Sequence, residues 1–147
     1  MSEELKMYVG TKIIWARPEF GPPEVVGKSQ QGDNPGYRVR YEDGYESWSP
    51  KKVFDRAYQP ITGLNFSSAL FLLKRGSWLQ REGWNGKGMY LFLVDTWDYE
   101  NSNPQLDRLP FIAMKTAQGQ VVPWLASQTD MLANDWQVVE VFHLSEV

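Results

Sequence analysis

The hydrophobic runs of this chain are short, and each is cut off within a few residues by a turn signal. Thr11 to Ala16 is β-branched and aromatic and closes at Arg17-Pro18. Tyr37 to Tyr41 alternates apolar and polar, and Glu42-Asp43-Gly44 turns it into Tyr45-Glu46-Ser47-Trp48. An Asp-Gly pair between alternating runs is among the strongest local hairpin signals, because both residues tolerate the positive φ such a turn requires. Runs this short predict an α+β chain of small antiparallel sheets with a few short helices.

The chain divides near Tyr58-Gln59-Pro60-Ile61-Thr62-Gly63, giving an N-terminal module over residues 1–60 and a second domain over 61–147. In the first, Pro22-Pro23 and the Gly32-to-Gly36 cluster bracket a second short run, Glu24 to Lys28. Ser49-Pro50 predicts a helix with Ser49 as N-cap, Pro50 in its first position, and Val53, Phe54 and Ala57 inward. The expected product is a small, bent, barrel-like sheet with one short helix. The second domain opens with a helix capped by Asn65, whose Phe66, Ala69, Leu70 and Leu73 follow helical spacing, and Gly76 stops it. Strands are expected over Ser77–Arg81, Met89–Val94, Phe111–Thr116, Gln120–Trp124 and Trp136–Phe142, with a long polar connection over residues 95–110. Ser127 to Asp130 starts a second short helix, through Ala133. The sheet of this domain is antiparallel.

Composition narrows the chemistry. The 147 residues include no Cys and one His, with 15 basic against 18 acidic side chains and a net charge of −3. Cysteine zinc sites, thiolate nucleophiles and multi-histidine metal sites are thereby excluded within one chain, and so is the strong basic bias of a general nucleic-acid binder. Residues 1–60 are electrically balanced, and residues 61–147, with six basic and nine acidic, carry the whole excess. The start, Met1 to Lys6, lacks the charged-then-apolar run of a signal peptide, and no apolar stretch has spanning length; a soluble, intracellular protein is expected.

For catalysis, His143 stands near the end of the expected last strand, where an edge-strand His is the simpler reading. Asp95, Asp98, Glu100 and Asp107 fall in a polar connection where solvated carboxylates are ordinary. Gly83, Gly86 and Gly88 lie between strands, without the helix that would receive a pyrophosphate. Binding is better supported. Arg81-Glu82-Gly83-Trp84-Asn85-Gly86-Lys87-Gly88-Met89 puts a flat aromatic, an amide, two cations and three glycines on one loop. Trp84 can stack on a base, Asn85 can pair with a base or ribose edge, and Arg81 and Lys87 can meet phosphate. A plain hairpin connection with Trp84 on the core rim accounts for the same residues. Val122 to Met131 supplies Trp124 and the hydrogen bonders Ser127, Gln128 and Thr129, while Asp130 argues against phosphate at that helix start. A self-capped surface helix is the equal alternative. Trp15, Tyr37, Tyr41, Tyr45 and Trp48 could form an aromatic cage, but alternation along short strands yields the same residues as core, which is preferred.

Residues 64–142 resemble the second type of Thoeris anti-defence protein, a phage family of small-molecule sponges. The resemblance rests on Leu73-Lys74-Arg75-Gly76, Arg81 to Met89, Met114-Lys115-Thr116-Ala117, Val122-Pro123-Trp124, and Ala126 to Ala133 with Asp135-Trp136. It covers about half the chain, with several motifs in order. It implies a non-enzymatic binder, needing no cofactor, that sequesters glycocyclic ADP-ribose signals in the cytoplasm of the infected host. It also implies binding of cyclic dinucleotides at separate sites, and a homotetramer with pockets between subunits. No nucleic-acid polymer and no membrane are implied. The ligand-binding positions it carries over are Arg81, Trp84, Asn85, Lys115, Trp124, Ser127, Gln128, Thr129 and Asp130. The N-terminal 60 residues depart from the smallest family members. A nucleotide-modifying enzyme and a protein-interaction inhibitor of a host defence protein are the alternative readings.

Overall fold

The computed structural model describes residues 4–21, 34–95 and 109–140. The run Glu24–Lys28, the carboxylates Asp98, Glu100 and Asp107, and Val141, Phe142 and His143 lie outside the described residues. The chain is α+β, with two antiparallel sheets and three short helices among the described residues. It splits into two compact units, residues 1–58 and 59–146. None of the described helices is long and apolar enough to cross a membrane.

The first unit holds β1 (Ile14–Pro18), β2 (Gly36–Tyr41) and β3 (Glu46–Pro50) in that spatial order, followed by α1 (Lys51–Ala57). The Asp-Gly turn forms: Gly44 sits at φ 86°, and Tyr41 N–H donates to Tyr45 O at 2.9 Å. The three strands make an open sheet rather than a closed barrel. The helix starts one residue later than expected, with Pro50 at the cap and no side-chain cap. Its inner face is narrower as well. Val53 is 58% exposed and Ala57 is exposed, whereas Phe54 stacks on Tyr37 with centroids 4.0 Å apart. Val39 is the fully buried residue of this sheet. Trp48 packs against two glycines: a Cβ at Gly21 or Gly36 would come within 2.3 Å or 2.4 Å of its indole. Tyr45 stays 65% exposed beside Tyr41.

The second unit holds α2 (Phe66–Lys74), β4 (Trp78–Arg81), β5 (Tyr90–Val94), β6 (Phe111–Lys115), β7 (Val121–Pro123), α3 (Gln128–Met131) and β8 (Trp136–Glu140). The strands lie in the order β7-β6-β5-β4-β8, all neighbours antiparallel. Helix α2 forms where local chemistry dictates. Asn65 accepts from Ser68 N–H at 2.9 Å, satisfying one of the free donors of the first turn. At the other end Gly76, at φ 95°, donates to Leu73 O while Ser77 N–H reaches Leu72 O, which stops the helix. Its buried side chains are Ala69, Leu72 and Leu73, packed over β4, β5 and β8.

Leu79 on β4, Leu91 on β5 and Trp136 on β8 are fully buried with Leu73. Burying a Leu is worth about 2 kcal/mol, so these few residues carry much of the unit's stability. Trp136 opens β8 at one edge of the sheet, and Trp124 follows β7 at the other. Their rings nevertheless come within 6.0 Å, edge to face, with Phe66 of α2 against both at 6.1 and 5.6 Å. This aromatic knot under the start of α2 positions the candidate site.

Candidate functional site

Antiparallel pairing of β4 and β8 places Arg81, the last residue of one, opposite Trp136, the first of the other. Asp135, just before Trp136, therefore lies against the turn that leaves β4. Arg81 donates through Nε to Asp135 Oδ1 at 2.9 Å and through Nη1 to Asp130 Oδ1 at 2.9 Å. Only 18% of its side chain is exposed. The second oxygen of Asp135 accepts the Gly83 backbone N–H at 2.9 Å, and Glu82 N–H donates to Asp135 O at 3.2 Å. The loop carrying Trp84 is thus tied to β8.

Asp130 is the second node. It reaches back to Ser127 in a reciprocal capping box: Asp130 N–H donates to Ser127 Oγ at 3.1 Å, and Ser127 N–H to Asp130 Oδ2 at 3.2 Å. Ser127 Oγ also lies 2.8 Å from Asp130 Oδ2 and 2.9 Å from Thr129 Oγ1. Trp84 Nε1–H points at Asp130 Oδ1 at 3.3 Å, and Trp136 Nε1–H donates to Asp130 O at 2.9 Å. Trp84 meets Trp136 edge to face at 5.5 Å and is itself half-buried. Asn85, Gln128 and Thr129 are exposed around it.

The electrostatics follow from these contacts. Burial alone would raise the Asp130 pKa, but hydrogen bonds from Arg81, Ser127 and Trp84 outweigh it and hold the group below the ordinary aspartate value. The Arg81 hydrogen bond does the same for Asp135, against burial and with help from Gly83 N–H. Arg81 is shifted upward by Asp135 first and Asp130 second. Both carboxylates are therefore ionised and supplied with donors. Such an arrangement holds loops in place rather than moving protons. Among the described residues, no group of three or more His, Cys, Asp and Glu side chains is arranged for a metal ion.

The expected site residues fall into two places. Arg81, Trp84, Ser127, Thr129 and Asp130 belong to one connected network, with Asn85 and Gln128 on its rim and Trp124 beneath it in the aromatic knot. Lys115 stands apart. It pairs with Tyr90, one residue out of phase with the buried Leu91, so it projects from the opposite face of the sheet. Its Nζ donates to Gly88 O at 2.9 Å and lies 5.5 Å from the Tyr90 ring, which stacks on Trp78 at 4.5 Å. Lys115 thus anchors the far end of the Trp84 loop. The loop's glycines serve geometry: Gly88 sits at φ 74°, and a Cβ on Gly86 would meet Met89 Sδ at 2.1 Å.

Sequence reasoning misses Asp135 and Phe66 as members of this assembly. The available signal for Asp135 is an acidic residue next to the Trp that opens an apolar strand, with Arg81 as a cation in need of partners. An apolar hollow of about 270 Å³ in the first unit, lined by Pro18, Glu19, Phe20, Pro35, Gly36, Tyr37 and Lys51, has different chemistry. Its Glu19 is ion-paired with Arg38 and its Lys51 with Asp55, so its charged groups are already engaged.

A family model described as the Thoeris anti-defense 2-like domain matches residues 64–139, all within the second unit. The chain is also similar to Thoeris anti-defense 2 of Bacillus phage SP01. The two are 39% identical over 89 residues, covering 53% of this chain and 97% of that relative.

Proposed function

The chain belongs to the Thoeris anti-defense 2-like family and has its anti-defence role; we propose that it fills this role as a sponge, binding cyclic nucleotide immune signals and holding them intact. The ligands are glycocyclic ADP-ribose and, at a separate surface, cyclic dinucleotides. The protein works without catalysis or cofactor, as a homotetramer in the cytoplasm of the infected bacterium.

The observation that carries this reading is the rim built by Trp84, Asn85, Gln128 and Thr129 over the Arg81–Asp130–Asp135 network. Trp84 offers a partly exposed ring for a purine, and the amides and hydroxyl offer both donors and acceptors to ribose and base edges. The internal ion pairs fix these groups before any ligand arrives, which lowers the ordering cost of binding. Arg81 and Asp130 are the frame of this site. Trp124 backs it through Trp136, Ser127 caps the turn, and Lys87 and Lys115 supply positive charge for phosphates at the other end of the loop.

A sponge has to hold its signal below the concentration that triggers the host effector. Submicromolar affinity corresponds to more than about 8 kcal/mol, within reach of base stacking plus several charge-assisted hydrogen bonds in a preorganised site. The test is calorimetry of the full chain with glycocyclic ADP-ribose and with cyclic dinucleotides, then chromatography of the ligand released on denaturation. Tight binding with unchanged ligand supports sequestration. A chemically altered ligand would replace this reading with an enzymatic one, and no binding of either class would remove it.

A further inference from the structure

Arg81, Asp130 and Asp135 form one cluster, but the two carboxylates are not equivalent. Asp130 lies on α3 and spends Oδ2 on its own capping box. Asp135 immediately precedes β8 and directs both oxygens across to the other strand, one to Arg81 Nε and one to Gly83 N–H. Gly83 is one residue before Trp84, and its backbone N–H has Asp135 Oδ2 as acceptor. The carboxylate therefore sets where the backbone goes just before the ligand-facing aromatic.

We propose that Asp135 is the positioning residue of the site: it fixes the turn at Gly83 through the backbone N–H and Arg81, orients Trp84 and Asn85, and so sets affinity for a purine-bearing cyclic nucleotide without touching it. The affinity half of this statement rests on the sponge reading above; the positioning half does not. An amide at this position has one acceptor oxygen and would aim its NH2 at a donor, either Gly83 N–H or Arg81. One of the two ties is then lost, and the other donor faces a donor.

The experiment compares the full-length wild type with Asp135→Asn and with Leu73→Val, a core change on α2 that shortens a fully buried side chain. Two quantities are read: hydrogen exchange at the Gly83 amide without ligand, and affinity for glycocyclic ADP-ribose by calorimetry. Asp135→Asn is expected to speed Gly83 exchange and weaken the ligand, each by about tenfold or more, as expected for a lost charge-assisted hydrogen bond. Leu73→Val lowers the unfolding midpoint while leaving affinity within about twofold, because it removes no hydrogen bond or charge of the cluster. Unchanged Gly83 exchange in Asp135→Asn overturns the proposal, as does an equal affinity loss in Leu73→Val. A wild type that binds no signal sinks the sponge reading, and Gly83 exchange then decides the positioning role alone. If Asp135→Asn does not fold, Asp135→Glu, which keeps a charge for Arg81 but changes the reach to Gly83, carries the same comparison.

Discussion

Trp84 shows how a single side chain can be both held and offered. Its Nε1–H faces Asp130 and its edge meets Trp136, while part of it remains open to solvent. Because its neighbours pack against one another without it, Trp84→Ala is expected to keep the fold. It should weaken glycocyclic ADP-ribose by about 10- to 100-fold, the range for loss of one base–aromatic stack, read by calorimetry. The two carboxylates give a second expectation at this scale. Their folded pKa values are lowered, so their stabilising contribution is fully present above the unfolded value of about 3.9 and is lost as pH falls through the folded values. Urea midpoints should therefore hold steady from neutrality down to about pH 4 and then fall, with a shallower fall in Asp130→Asn.

Among the elements, α2 was the most legible from sequence, because everything that defines it is local. Asn65 caps, Gly76 stops, and the apolar spacing between them needs no distant partner. Asn65→Ala should lower stability by about 1 kcal/mol, measured as a denaturant midpoint shift at constant slope. The faces of helices were less legible. Val53 and Ala57 have inward spacing, yet a three-stranded sheet gives α1 little to cover beyond the stack of Phe54 on Tyr37. The site shows the same division. Trp84 and the Ser127–Asp130 box stand out as motifs, since stacking and capping are properties of short segments. The partners of Arg81 do not, because they lie 49 and 54 residues further on and reach it only through β4–β8 pairing. The sequence shows a cation; pairing decides what it neutralises.

At the scale of the molecule, the match to the family falls wholly inside the second of two compact units, and 97% of the phage relative is accounted for by the match. Residues 59–147 expressed alone are therefore expected to fold cooperatively and to bind the same signals with affinity within about threefold of the full chain, since among the described residues the hydrogen bonds of the site network join only positions beyond 59. Calorimetry on the two chains checks this, and a large loss in the shorter one would assign the first unit a part in binding.

Asp130 gathers Arg81, Trp84 and Ser127 onto one carboxylate, and its backbone carbonyl takes the indole of Trp136 as well. A substitution there disturbs three stretches of chain together. Asn85 and Gln128 stand at the rim, exposed, and can be exchanged one at a time without loosening the carboxylate beneath them. Positions that can be exchanged singly are thereby separated in the fold from the one on which three stretches of chain depend.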